Sequence, residues 1–530
     1  VRSVLRGAGA ALMTLCLAVT CGPGARVEPV APGAAVGRPN IVFVLTDDLT
    51  VDLLRFMPQV RKLAAEGVSF TDYVVTDSLC CPSRASILTG KFPHNTGVFT
   101  NAGPDGGFAV FRRRGNEENT FATGLRAAGY RTAMFGKYLN GYDPASGHVP
   151  PGWDEWAVAG NAYAQVGYTL NENGRIRGYG GQYLTAVLGA KAEAFVRTSA
   201  QRKQPFLVEI STFSPHAPFT PAPQDAHAFP GLTAPRGPAF DRLPANPPPW
   251  LAARPPLTPA QIARIDDAYR KRAQSVLSID RMIGGLRAAL VETGVADDTV
   301  LVFSSDNGFH LGQYRLTVGK QTAFETDVRV PLIMSGPGLR RGATVAETAA
   351  NIDLRPTFDA LGGAVTPPDV DGRSLLPLIT AGDAGREPSP PAPPGAVGGR
   401  GPLLLTPSGI PVYSGMPRDS GIPENSGIVS SGWRTAALVE HRRPESRPDD
   451  PDRQKVIPES YVALRTPEWT FVRYANGARE FYDRRTDPHQ LRNTAAALSP
   501  ARRAAMDAAL TALVACRGRV ACDKAAMVRA

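Results

Sequence analysis

The feature that most constrains this chain is a set of apolar runs, two of which end in acidic or amide residues. Asn40-Ile41-Val42-Phe43-Val44-Leu45-Thr46 leads directly into Asp47-Asp48. Phe206-Leu207-Val208-Glu209-Ile210 is a similar run, and Thr299-Val300-Leu301-Val302-Phe303 continues through Ser304-Ser305 to Asp306-Asn307-Gly308. A run without alternation has no solvent face, so each reads as a strand buried on both sides. Helical patterns lie over 57–66, 121–128, 184–198 and 261–292. Strands alternating with helices predict an α/β fold, with a large mixed, mostly parallel sheet flanked by helices. Ligands in such sheets bind beyond the carboxyl ends of the strands, where Asp47, Asp48, Asp306 and Asn307 fall. Asp47-Asp48 alone could equally start a turn. With Asp306 and Asn307 they form an all-oxygen donor set, suited to Ca²⁺ first and Mg²⁺ second, and ill suited to zinc.

A chain of 530 residues is longer than one hydrophobic core usually serves, and its composition changes along its length. Residues 1–25 place Arg2 and Arg6 before an apolar stretch over 8–19, the layout of a secretory signal. Cys21 stands where a lipoprotein would carry its lipid, so the chain is expected to be exported, either secreted or held in the cell envelope. No other segment is apolar and long enough to span a bilayer. Residues 38–380 would be the catalytic α/β domain. Residues 381–432 read as a Pro/Gly-rich linker and insertion, in which Ser-Gly recurs at Ser408, Ser414, Ser420 and Ser426. Residues 433–530 would form a smaller α+β subdomain. Its strands are expected over 461–465, 469–474 and 480–482, with a turn at Asn476-Gly477 and a closing helix over 500–515. Export would allow a disulfide between Cys516 and Cys522. The net charge of +10 suits a polyanionic partner or plain solubility. No zinc-finger spacing, basic run or aromatic-interleaved basic motif points to nucleic acid.

The most specific segment is Cys80-Cys81-Pro82-Ser83-Arg84-Ala85-Ser86-Ile87-Leu88-Thr89-Gly90. Pro82 fits the first turn of a helix, which places Cys80 just before a helix N-terminus, where free amides and the dipole favour an anion. Cys80 and Cys81 are adjacent and strained as a mutual disulfide, so Cys80 reads as a nucleophile near a metal.

This segment resembles the signature of the sulfatase family, in which the first cysteine is oxidised to formylglycine. The similarity extends over most of residues 39–495. It includes Gly136-Lys137-Tyr138, Ser214-Pro215-His216-Ala217-Pro218, Asp306-Asn307-Gly308 with Lys320, and Asp371-Gly372-Arg373. The resemblance implies that Cys80 becomes formylglycine through a formylglycine-generating enzyme, and that its hydrate attacks sulfur. It implies Asp47, Asp48, Asp306, Asn307 and residue 80 as ligands of Ca²⁺. Arg84 would orient the diol, while Lys137, His216 and Lys320 would hold sulfate oxygens. His310 is expected either to touch substrate or to make a structural hydrogen bond, and His94 to be structural. Many sulfatases place a histidine two residues after the lysine of the Gly-Lys segment; here that position is Leu139. The base for the later step is therefore left to His310 or to a metal-bound group.

Cys-Cys-Pro-Ser-Arg, Gly-Lys-Tyr-Leu-Asn and Ser-Asp-Asn-Gly-Phe-His resemble the N-acetylglucosamine-6-sulfatases and the heparan sulfate endosulfatases. The implied substrate is a sulfated glycan, such as glucosamine 6-sulfate, or a small sulfate ester. Two readings compete: a phosphonate monoester or phosphodiester hydrolase of the same superfamily, and a non-catalytic glycan-binding surface protein. The intact Cys80, Arg84 and acidic cluster speak against the second.

Overall fold

The continuous apolar runs form the middle of one ten-stranded sheet. Its order is Ala343–Val345, Val68–Phe70, Leu332–Ser335, Thr299–Ser305, Asn40–Thr46, Phe206–Ser211, Arg131–Lys137, Glu155–Ala159, Thr169–Glu172, Arg175–Gly178. The five strands from Thr299–Ser305 to Glu155–Ala159 are parallel, and both flanks turn antiparallel. The computed structural model describes residues 37–380, 432–443 and 456–528. The expected leader, Cys16, Cys21 and the Ser-Gly series lie outside the described residues.

Alternate side chains of the Asn40–Thr46 strand enter two separate cores, which is why the run has no polar face. Ile41, Phe43 and Leu45 face the core shared with Phe121 and Phe358, whose rings lie 6.5 and 5.2 Å from that of Phe43. Val42 and Val44 face the core built with the helices Pro58–Glu66, Leu184–Arg202 and Pro259–Glu292. Fully burying one such side chain contributes about 1.5–3 kcal/mol.

The Pro259–Glu292 helix starts two residues before the expected boundary. Thr258 caps the Gln261 amide, and Gln261 reaches back to the Thr258 N–H, a reciprocal cap with Pro259 in the first turn. The Arg131–Lys137 strand was not anticipated, because Thr132, Ala133 and Gly136 interrupt any apolar run.

From residue 432 onward a four-stranded antiparallel sheet is added: Ala437–His441, Tyr461–Arg465, Trp469–Tyr474 and Arg479–Asp483. Leu438, Leu464 and Phe471 pack on Met506, Leu510 and Leu513 of the Pro500–Val514 helix. The opposite face, with Val439, Tyr461, Ala463 and Val472, joins the core of the large sheet. Cys516, just past the end of that helix, forms a disulfide with Cys522 of the following Arg519–Ala525 helix.

A buried charge network ties the two sheets together. Arg465 bonds Asp72 and grips Glu325 through Nε at 3.0 Å and Nη2 at 2.9 Å, while Arg484 donates to Glu325 at 2.9 Å. His94 adds a second tie, with Nδ1 at 2.8 Å from Glu440 and Nε2 at 3.0 Å from the Cys516 carbonyl. Among the described residues, no helix is long and apolar enough to cross a membrane.

Candidate active site

Sheet register builds the acidic cluster. Thr46 pairs with Ser305, so Asp47-Asp48 and Asp306-Asn307 leave two neighbouring parallel strands side by side. The Asp48 N–H donates to Asp306 Oδ1 at 3.1 Å, and Asn307 Nδ2 donates to Asp48 Oδ1 at 2.6 Å. Asp48 itself adopts φ 63°, a left-handed conformation unfavourable for a residue with a Cβ. It is held there from both sides, since Arg272 Nη2 donates to its carbonyl at 2.6 Å.

Cys80 is the first residue of the Cys80–Thr89 helix, not the residue before it, because Leu79 takes the extended capping position. Gly90 ends the helix at φ 70°, the left-handed position glycine serves best. Cys80 Sγ lies 3.3 Å from Asp47 Oδ1 and 2.7 Å from Lys320 Nζ. Lys320 Nζ also donates to Asp48 Oδ1 at 2.7 Å. Arg84, one turn along the same helix, donates to Asp306 Oδ2 at 2.7 Å and to Ser211 Oγ at 2.6 Å. Cys81 belongs to the core that also holds Tyr138 and Leu139, and burial pushes its thiol up to about 12, which disfavours the reactive thiolate.

Lys137 ends the Arg131–Lys137 strand, with Nζ 2.6 Å from Asp47 Oδ2. The glycine before it is obligatory: a Cβ on Gly136 would sit 1.9 Å from the Ser211 carbonyl oxygen, and φ there is 115°. His216 follows the Phe206–Ser211 strand, with Nε2 3.6 Å from Asp48 Oδ2 and Nδ1 2.8 Å from the Ala217 carbonyl. A carbonyl only accepts, so Nδ1 carries the proton in that contact. One ligand atom each from Asp47, Asp48, Cys80 and His216 lie within 4.8 Å of one another. Both oxygens of Asp306 are engaged nearby, one by the Asp48 amide and one by Arg84.

Electrostatics follow from burial and crowding. Burial lifts the Asp47 carboxyl above its ordinary range, and Asp306 and Asp48 add to this against Lys137 and His216. Burial acts upward on Asp306 as well, but Arg84, Lys137 and Lys320 outweigh it and hold that group below the usual range. Burial works against the Lys137 charge, yet Asp47 and Cys80 keep its pKa well above the ordinary value. Asp47, Asp48 and Asp306 thus face the cations Arg84, Lys137 and Lys320. A divalent cation added to so balanced a set leaves the centre positive, as an anionic substrate requires.

The donor set fits such a cation. Asn307 Oδ1 is fully buried and has no hydrogen-bond partner among the described residues, and the surrounding donors are mainly carboxylate oxygens. Arg84 Nη2 is likewise buried without a partner among the described residues.

His310 is not among the ligand atoms that converge within 4.8 Å. Its Nδ1 lies 3.0 Å from Asp327 Oδ2, and its strand pairs with Gly319, beside Lys320. Asp327 in turn accepts from the Thr322 amide and hydroxyl. That network shapes the Lys320 segment. Leu139 is buried in the core with Tyr138 and Tyr142.

Sequence reasoning missed Tyr163, Ser211 and Arg272. The Tyr163 ring lies 5.1 Å from Lys137 Nζ and 4.4 Å from the His216 ring. Nothing in a Gly/Ala-rich stretch marks a lone tyrosine. Arg272 sits in a long helix where an arginine ordinarily faces solvent.

An α/β sheet whose strand ends present a cation-ready carboxylate set beside a helix-borne cysteine defines a site for oxyanion chemistry. The family model described as Sulfatase matches residues 39–364, and the chain belongs to the sulfatase family. It is 39% identical over 352 residues to the Extracellular sulfatase SULF-1 homolog of Drosophila melanogaster, covering 64% of this chain. It is 39% identical over 365 residues to the human N-acetylglucosamine-6-sulfatase, covering 66% of this chain. These matches span 31% of the fly protein and 66% of the human one. Among solved structures, BT4656 in complex with its substrate D-glucosamine-2-N,6-O-disulfate aligns with TM-score 0.68 and 23% identity, covering 90% of this chain and 97% of that one. The phosphonate monoester hydrolase of Agrobacterium radiobacter aligns with TM-score 0.63 and 21% identity, covering 90% and 95%. Both structural likenesses establish the fold.

Proposed function

We propose that this chain is an exported enzyme that hydrolyses sulfate esters of glycans, glucosamine 6-sulfate in particular, with Cys80 converted to formylglycine and Ca²⁺ on the acidic cluster. The observation that carries the reading is the convergence of Lys320 Nζ at 2.7 Å and Asp47 Oδ1 at 3.3 Å on Cys80 Sγ, in a chain of the sulfatase family. The names of the fly and human relatives support export and the sugar; lipid attachment at Cys21 finds no support in them. The domain limits are proposed as 38–380 for the catalytic part and 433–530 for the C-terminal part.

Formylglycine would place a hydrated aldehyde where Sγ now stands, giving a nucleophilic oxygen whose partner hydroxyl lets the sulfate leave later. Asp47, Asp48, Asp306 and Asn307 would hold Ca²⁺, which would draw the anionic ester in and polarise it. Asp47 Oδ1 is placed to take the proton of the attacking group, as it now accepts from Sγ. Lys320 steadies the oxygen that replaces Sγ. Lys137 and His216 stand beside Asp47 and Asp48, where they can hold sulfate oxygens as negative charge develops. Nδ1 of His216 donates to the Ala217 carbonyl, so the proton that His216 can give to the departing alcohol is the second one, on Nε2 of the imidazolium that neighbouring Asp48 favours. Arg84 fixes Asp306 and leaves Nη2 for charge that arrives with substrate.

Purified enzyme should cleave N-acetylglucosamine 6-sulfate and 4-nitrophenyl sulfate faster than phenylphosphonate. Faster turnover of the phosphonate would transfer the chain to the rival hydrolase class. Absence of turnover on all three, with formylglycine formed and Ca²⁺ supplied, would leave the binding-protein reading.

A further inference from the structure

Beside the charged centre lies a group of buried polar side chains that the catalytic scheme does not use. Asp77 is fully buried, and neither of its carboxylate oxygens has a hydrogen-bond partner among the described residues. The same holds for Thr76 Oγ1, Gln321 Oε1 and both ring nitrogens of His441, whose residues are at most 3% exposed. Unmade hydrogen bonds inside a protein are rare and unfavourable.

The C-terminal sheet brings these residues together. The Glu440 N–H donates to the Thr76 carbonyl at 2.8 Å, which sets His441 beside the 76–78 segment. The His441 ring lies 5.1 Å from the Tyr461 ring, and Tyr461 Oη donates to the Gln321 carbonyl at 3.4 Å. The Gln321 N–H donates to the Ser78 carbonyl at 3.2 Å. Gln321 directly follows Lys320, whose Nζ touches Cys80 Sγ, and Asp77 stands three residues before Cys80.

The chemistry of this niche differs from that of the centre. Burial raises the Asp77 carboxyl well above the carboxylate range, with Glu440 adding to the effect. Burial, with Arg443, lowers His441 to about 3. The niche therefore combines a carboxyl whose charged form burial disfavours with an imidazole, an amide and a hydroxyl. Such a set pairs with hydroxyl groups and is a poor match for a second sulfate.

We infer that Thr76, Asp77, Gln321 and His441 form a subsite, adjoining Cys80 and Lys320, that takes the hydroxyl groups of the alcohol half of the ester and thereby selects a sugar over a bare aryl group. This rests on the proposed sulfatase reading for the position of the ester, but binding at the niche does not depend on turnover. The four-stranded sheet thus supplies a specificity residue, His441, to a site otherwise built by the large sheet.

The test uses the full-length, matured protein and unsulfated N-acetylglucosamine at millimolar concentration, followed by saturation-transfer NMR. Wild type should bind, His441→Phe should lose binding, and His441→Gln, which restores a donor and an acceptor, should regain it. In kinetics, the ratio of kcat/KM for N-acetylglucosamine 6-sulfate to that for 4-nitrophenyl sulfate should fall at least tenfold in His441→Phe and recover in His441→Gln. If His441→Phe does not fold, Thr76→Val, which keeps the shape and removes the hydroxyl, carries the same comparison. Sugar binding absent in wild type, binding unchanged in the variant, or an unchanged kinetic ratio would each overturn the subsite. Loss of sugar binding in the variant of an enzyme that turns over neither ester would keep the subsite and reject the sulfatase reading.

Discussion

Two buried charge clusters in this chain are built in opposite ways. At the joint between the sheets, Arg465 spends Nε, Nη1 and Nη2 on Glu325 and Asp72, and Arg484 adds to the same Glu325 carboxylate. In the active centre Asn307 Oδ1 and Arg84 Nη2 have no partners among the described residues, although both residues are buried. A closed network of buried charges holds structure, and removing one partner is strongly destabilising. An open one keeps binding capacity in reserve, at the expense of stability. The completeness of hydrogen bonding separates the two, although the centre is the more deeply buried of them.

The largest expected effect lies in the open cluster. Asp306→Asn keeps the shape and one acceptor but removes a charge from the cation site and from Arg84. It should lower kcat/KM about 10³-fold, roughly 4 kcal/mol of transition-state stabilisation, with near-ultraviolet circular dichroism unchanged. Loss of the folded spectrum instead would place Asp306 with the holding residues.

Next comes the closed cluster. Arg465→Met should cost about 3–5 kcal/mol in denaturant unfolding by leaving Glu325 and Asp72 undercompensated, while turnover per folded molecule stays at the wild-type level. A variant that unfolds at the wild-type midpoint yet turns over slowly would invert the assignment.

The same joint carries a pH signature. Burial would raise the Glu325 carboxyl, but Arg465 and Arg484 outweigh it and hold it at about 2, against an ordinary value of 4.5. A depressed folded pKa contributes stability that is complete above the ordinary value and is lost as pH falls toward the folded one. Unfolding free energy should therefore drop between pH 4.5 and 2, and Glu325→Gln should flatten that limb. A limb unchanged in the variant would remove Glu325 from the account.

The smallest effect belongs to the Cys516–Cys522 disulfide. Its loop is short, so reduction should lower stability by only about 2 kcal/mol and leave turnover intact. Free thiols at both positions in the native, non-reduced protein would show that the bond does not form.

The centre was far more legible in the sequence than the joint, for a physical reason. Strand ends, the helix start at Cys80 and the tight approach of Gly136 are local requirements, and each leaves its mark within a few residues. Glu325 and Arg465 meet across 140 positions, and neither has a local context that distinguishes it from a surface charge. The Arg131–Lys137 and Ala437–His441 strands escaped notice because their runs are short or broken by small residues, and neighbouring strands supply their stability. Tyr163 and Arg272 reach the centre only through the fold. The niche around His441 is legible only in three dimensions, since its members lie on three separated segments.

The most direct measurement is the chemical state of residue 80 in active enzyme. Peptide mass spectrometry of protein produced with a formylglycine-generating enzyme should show the aldehyde at Cys80 and an unmodified thiol at Cys81, with activity proportional to the aldehyde fraction. Full activity with an unmodified Cys80, or turnover that survives Cys80→Ala, would contradict the account.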